Sequence, residues 1–195
     1  MGDGSLTDHT WRWAIGEAIE RIRGRYQHIG RKTGAPFLAL VYPPEEEVAV
    51  LHEWRTQATT LSPEFDLHTV NVLEVTQSVL ADFGLDNVLE ALRDPMPGSD
   101  PTADLGRAWL GAVVDAVHRD FAKATSGGRP ILCLERLAAL YPVCGPQHLM
   151  QQMWDSAQSD LAGPVLVLIP GKRVAPRVYS FVELREEFMY RGDLI

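Results

Sequence analysis

Cysteine is scarce in this chain, with Cys133 and Cys144 the only two among 195 residues. Two thiols cannot supply the four-thiolate shell of a structural zinc site without outside ligands, and they are expected to stay reduced in a cytosolic setting. No apolar run approaches the roughly 20 residues that a membrane-spanning helix needs. The start, Met1-Gly2-Asp3-Gly4-Ser5, has neither the basic residues nor the apolar stretch of a secretory signal, so a cytoplasmic protein without membrane attachment is expected. Positive charge is in deficit too: 18 Lys and Arg face 26 Asp and Glu, a net charge of −8 that repels nucleic acid at long range. The first 35 residues are the exception, where Arg12, Arg21, Arg23, Arg25, Arg31 and Lys32 outnumber the acids. A solvated helix face accounts for them better than DNA contact does.

Catalytic signatures are missing as well. There is no Gly-x-Ser-x-Gly elbow, no His-Glu-x-x-His pair and no paired cysteine motif, and the six histidines are scattered. His148 lies four residues from Cys144 near a helix start, but no third orienting residue accompanies them. Gly30-Arg31-Lys32-Thr33-Gly34 looks superficially like a phosphate loop, yet it precedes a strand instead of following one, and its lysine comes before the second glycine. Where such a loop belongs, after the first strand, stand Pro43, Pro44, Glu45, Glu46 and Glu47. Proline has no backbone donor and carboxylates repel phosphate, so this turn opposes a nucleotide triphosphate. It suits a helix start, with Pro44 in the first turn and acids at the positive end of the dipole.

What is present is an alternation of strands and helices. Residues 1–34 read as an amphipathic helix, Asp8 to Ile29 with Thr7 or Asp8 as N-cap, followed by a basic connector; residues 35–195 read as the sheet core of a single domain. Trp11 and Trp13 cannot share the buried stripe of that helix. Strands are expected at Phe37 to Tyr42, Asp66 to Val72, Ile131 to Leu134, Val165 to Ile169 and Val178 to Val182. Ile131 to Leu134 and Val165 to Ile169 are apolar throughout, the pattern of strands covered on both faces. Helical spacing marks Val48 to Ala58, Val75 to Phe83, Leu105 to Phe121 and the segment opened by Gly145-Pro146, with a short turn at Val88, Leu89 and Leu92. Asp94 to Asp104, with three prolines, is expected to be a loop, Ser126-Gly127-Gly128 a connector, and Pro170-Gly171 a turn closing the fourth strand. The predicted fold is α/β: three layers, a mostly parallel sheet of about five strands flanked by helices, Rossmann-like or degenerate P-loop-like without a Walker A loop. The tail from Glu183 is charged and ends on Leu194-Ile195, for which burial in the core is the common outcome.

In an open parallel sheet, function gathers at the carboxyl ends of the strands, which here bring forward Tyr42, Glu135, Arg136, Tyr141, Gly171, Lys172 and Arg173. Glu135 follows Ile131-Leu132-Cys133-Leu134, the Walker B pattern of four apolar residues and a carboxylate. Without a phosphate loop, a strand-ending Glu paired with a neighbouring Arg explains it equally well.

Several short pieces occur in a telling order: Tyr42-Pro43-Pro44-Glu45-Glu46-Glu47, Leu140-Tyr141-Pro142, Leu149, Pro164 through Gly171, Tyr179-Ser180-Phe181 and Tyr190-Arg191-Gly192-Asp193-Leu194-Ile195. Together they resemble the BrxB family of the BREX bacteriophage-exclusion systems over residues 35 to 195, apart from a divergent middle. The resemblance implies a Rossmann-like or degenerate nucleotide-hydrolase-like fold. It also implies a non-catalytic, cofactor-free interaction subunit in phage defence, working beside PglZ, the alkaline-phosphatase-like protein, and other BREX components. The strand-end rim and the tail make Tyr42, Glu135, Arg136, Tyr141, Lys172, Arg173, Tyr190 and Arg191 the candidate interaction residues. The alternative is a degenerate nucleotide-binding protein or NTPase-like regulator. The chain departs from the family at Val143-Cys144-Gly145-Pro146, where a polar or basic helix start is usual, and at Lys172-Arg173, where an acidic-aromatic pair is usual.

Overall fold

The computed structural model describes residues 10–30, 34–124, 127–157 and 161–195. Five strands form its central sheet: β1 (Phe37–Tyr42), β2 (Phe65–Asn71), β3 (Arg129–Glu135), β4 (Val165–Ala175) and a final short β7 (Asp193–Leu194). Their spatial order is β2-β3-β4-β1-β7 and every pairing among them is parallel. In the dinucleotide-binding order the first two strands are neighbours. Here β3 and β4 separate them, so the sheet is not a Rossmann half.

Successive side chains of a strand point to opposite faces, and this divides the apolar runs into two cores. Leu38, Leu40 and Tyr42 of β1 join Ile131 and Cys133 of β3 and Leu166 and Leu168 of β4 on one face. Phe37, Ala39, Leu132, Leu134, Val165, Val167 and Ile169 project to the other. Helices α1 (Thr10–Arg25) and α2 (Glu47–Ala58) cover the first face through Ile15, Ile19, Ile22, Leu51 and Trp54. The second is covered by α5 (Pro101–Phe121) through Trp109, Val113 and Val117, and by α6 (Pro146–Ala157) through Leu149, Met150 and Met153. That is the expected three-layer α/β arrangement.

Several boundaries differ from the sequence reading. Val72 does not extend β2 but opens α3 (Val72–Phe83), because Asn71 accepts from the Glu74 N–H and caps the helix. The expected turn at Val88 is a nine-residue helix, α4 (Leu85–Arg93). The proline-rich loop ends at Asp100, which caps α5 by accepting from Ala103, and Pro101 takes the first helical position that proline tolerates. α1 passes into a 3-10 turn at Tyr26–His28. Trp11 is buried on its stripe, while Trp13 is exposed. The N-cap candidates Thr7 and Asp8, most of the basic connector and Ser126 lie outside the described residues.

The largest correction concerns Pro170-Gly171, which makes no turn. β4 runs through both residues to Ala175, leaving the parallel sheet to pair antiparallel with β5 (Val178–Phe181), which in turn pairs with β6 (Arg185–Phe188). Proline can occupy this point because its carbonyl still accepts, from the Val182 N–H at 2.8 Å. Gly171 is required by close approach: a Cβ there would stand 2.1 Å from the Ser180 oxygen. The charged tail thus contains strand β6, and then β7, whose pairing beside β1 delivers Ile195 to the core, as expected of an apolar ending.

Candidate functional site

The carboxyl ends of β1 and β3 meet the start of α2, and the side chains there close upon one another. The Tyr42 hydroxyl donates to Glu47 Oε1 at 3.0 Å, and Arg136 Nη1 donates to Glu47 Oε2 at 2.6 Å. Glu47 is the first residue of α2, so its carboxylate sits at the positive end of that helix with a phenol and a guanidinium already bound. One turn and then another along the same helix face, Leu51 is buried and Arg55 reaches Glu135. Both oxygens of Glu135 are held, Oε1 by Arg55 Nε at 3.3 Å and Oε2 by Nη2. This is the two-pronged geometry that guanidinium and carboxylate favour. The Glu135 side chain is 1 % exposed and that of Arg55 is 60 % exposed, so a buried acid is neutralised from the solvent side.

These pairs locate the sequence candidates. Tyr42 and Glu135 are interior and offer no surface to a second molecule. The neighbour-Arg pairing expected for Glu135 is instead made by Arg55, because Arg136 adopts a left-handed backbone with φ 63° and turns its side chain to Glu47. Burial, reinforced by the Glu47 carboxylate, holds the Tyr42 phenol above its ordinary range and keeps it a donor.

Lys172 and Arg173 lie on the antiparallel extension of β4 and are exposed. With Trp11, Trp13, Pro43 and Glu183 they line a cleft of about 560 Å³ at the carboxyl edge of β1 and β4. Clefts of this size and position are where open α/β sheets take ligands. Among the described residues, the non-glycine positive φ angles occur at Arg136, Val182 and Glu183, in turns bordering this edge. Such strain of about 1–3 kcal/mol each gathers at functional surfaces.

Tyr141, Tyr190 and Arg191 lie apart from the Glu47 pairs. Tyr141 is part-exposed and meets Phe181 edge-on at 6.4 Å. Tyr190 is exposed and packs on Phe188 at 4.7 Å, while Arg191 lies over the Trp154 ring at 4.7 Å. A third buried carboxylate is Glu187 of β6. It accepts from the Tyr179 hydroxyl and from the Gln147 N–H in the first turn of α6, both at 2.8 Å, with Arg185 at 3.6 Å. Gly145 makes room for it, since a Cβ there would fall 1.9 Å from Oε1. Burial pushes the Cys144 thiol up to about 12, and His148 Nδ1 faces Arg185 at 3.2 Å. The two therefore form no thiolate–imidazole pair.

Sequence reasoning missed Glu47 as a ligand of Tyr42, and missed Arg55 and Glu187 altogether. A signal existed for Arg55. Positions 47, 51 and 55 repeat every four residues, so a charge continues the line of a buried leucine. Among the described residues no group of three or more His, Cys, Asp and Glu is arranged to hold a metal ion, and no helix is long and apolar enough to cross a membrane. No family model and no curated protein matches the chain.

Proposed function

We propose that this chain is a non-catalytic interaction subunit of a BREX-type phage-defence system, held beside a PglZ-like protein. The observation that carries the reading is that the carboxylates at the ends of β1 and β3 are bound by the chain's own side chains. The helix start that would receive a phosphate holds Glu47, already bonded to Tyr42 and Arg136, and the Walker B-like Glu135 is consumed by Arg55. Groups so committed hold shape; they are not left over for a nucleophile or a metal. The surface left for a partner is the wall of exposed Trp13, Lys172 and Arg173, with Tyr141 and Tyr190 beyond it. The order of sequence pieces that resembles the BrxB family supplies the partner.

The test is retention of the full-length chain by purified PglZ-like protein from the same operon. Retention is expected, together with its loss on Lys172→Glu/Arg173→Glu, in a variant whose thermal midpoint is unchanged. Failure of the native chain to be retained overturns the reading. The 560 Å³ cleft with its two cations favours a second reading, a nucleotide-binding regulator. A rise in thermal midpoint with ATP, GTP or a cyclic nucleotide and magnesium would support that one instead.

A further inference from the structure

On the face opposite α1 and α2, α4 is a helix with almost nothing holding it. Of its nine residues only Val88 is even half-buried, and none is buried. A helix this short has no stability of its own in water, so packing must supply it. Yet Leu85, Leu89 and Leu92, spaced four and three apart on one face, are 57 %, 37 % and 39 % exposed. Phe83 and Met96, just before and after, are exposed as well. Beside them a groove of about 320 Å³ runs between α4 and the start of α5, lined by Phe83, Val88, Leu92, Pro101 and Leu105. A contiguous apolar face of this kind marks a contact surface.

Charge identifies what fits it. From residue 82 to 94 the chain carries Asp82, Asp86, Glu90 and Asp94 against the single base Arg93. None of these four side chains makes an ion pair or hydrogen bond among the described residues. Asp86 and Glu90 stand four apart on one helix, a like-charge spacing that destabilises it. At helical spacing Asp86 and Glu90 lie on one flank of the leucine stripe, and the segment as a whole is net acidic despite Arg93, so a second copy of the same surface meets like charge. The face attracts a segment with apolar anchors flanked by lysine or arginine.

We propose that the α4 face is a docking groove for a basic amphipathic helix of a partner protein, its apolar residues seated against Leu85, Leu89, Leu92 and Phe83 and its cations on Asp86 and Glu90. The proposal rests on the reading of this chain as an interaction subunit and adds the chemistry of what is bound. It places that contact away from the Lys172–Arg173 cleft.

The experiment uses the full chain and two fluorescent 18-residue helical peptides with identical leucine spacing, one with lysine flanks and one with glutamate. The lysine peptide is expected to bind at least about tenfold more tightly, with an affinity that falls as salt rises. Leu89→Asp/Leu92→Asp should weaken it at least about tenfold. Asp86→Lys/Glu90→Lys should turn the preference towards the glutamate peptide. Circular dichroism melts check that both variants stay folded. Equal binding of the two peptides, no binding of either, or full binding by the leucine variant overturns the groove. So does self-association of the native chain that the leucine variant abolishes, which assigns the face to a second copy. Retention on the PglZ-like partner is read separately. Peptide binding without that retention removes the defence reading and leaves the groove, whereas retention without peptide binding does the reverse.

Discussion

Acidic side chains at the edge of the sheet and those around α4 carry the same charge and meet opposite fates. Glu47, Glu135 and Glu187 each end against a guanidinium supplied by the chain, and Tyr42, Tyr179 and the α6 backbone add donors to Glu47 and Glu187. Asp82, Asp86, Glu90 and Asp94 end in solvent beside exposed leucines. Where a carboxylate is bonded within the chain it holds elements together, even at Glu187, whose Oε2 takes both hydrogen bonds and whose Oε1 has none, so its removal should be felt in folding. Where it is not, removal should be felt only when something else arrives. A count of acids cannot separate these cases, but mutation can.

The largest expected effect is at Arg55. Arg55→Ala leaves Glu135 buried without a counter-charge and should destabilise the chain by about 3 kcal/mol in urea unfolding. Glu135→Gln frees an arginine that can turn to water and should cost about 1–2 kcal/mol. Equal losses from the two would show that the pair is not asymmetrically buried and would weaken the contrast with α4. Next comes Glu187→Ala, which strands the Tyr179 hydroxyl and uncaps α6. A loss of about 2–3 kcal/mol is expected, with a smaller one for Glu187→Gln, measured in the same way.

Alkaline pH should sharpen the comparison further. Tyr42 and Tyr179 are held above the ordinary phenol range by burial first and by Glu47 and Glu187 second, and burial raises Cys144 from 9.0 to about 12. Groups raised in the folded state contribute stability that is complete below their unfolded values and is lost as pH rises towards the folded ones. Stability should therefore fall from about pH 9, as the unfolded thiol ionises, and more steeply above about pH 10, as the unfolded phenols do. The slope is about 1.4 kcal/mol per pH unit for each group. Tyr42→Phe should flatten that limb in a pH series of melts, and an unchanged slope would count against the buried network. The smallest effect belongs to α4. Leu89→Asp/Leu92→Asp should move folding stability by no more than about 0.5 kcal/mol per site while removing peptide binding. A loss of several kcal/mol would mean that these leucines belong to the core after all.

Much of the frame was legible before any coordinates. The runs Phe37 to Tyr42, Ile131 to Leu134 and Val165 to Ile169 announce buried parallel strands because each is apolar at consecutive positions, and each face of the resulting sheet finds its own helices. The acidic turn after β1 was legible for a similar reason, since prolines and glutamates act through local donors and charge. The candidate site was legible only as a place. Tyr42, Glu135 and Arg136 do meet at the carboxyl edge, but two of the three are interior, and Tyr190 and Arg191 pack elsewhere.

The sequence by itself determined the apolar strands β1 and β3, the first half of β4 and the helices that cover them, because that information is carried by residues within a turn or two of one another; β6, β7 and the full length of α4 were not legible in it. Only the tertiary structure decided that Glu135 binds Arg55, 80 positions away, instead of its neighbour Arg136. It also decided that β4 passes through Pro170-Gly171 to meet β5, and that the leucines of α4 are left uncovered. Ion-pair choice and exposure depend on which distant elements arrive in three dimensions, and no periodicity along the chain encodes that arrival.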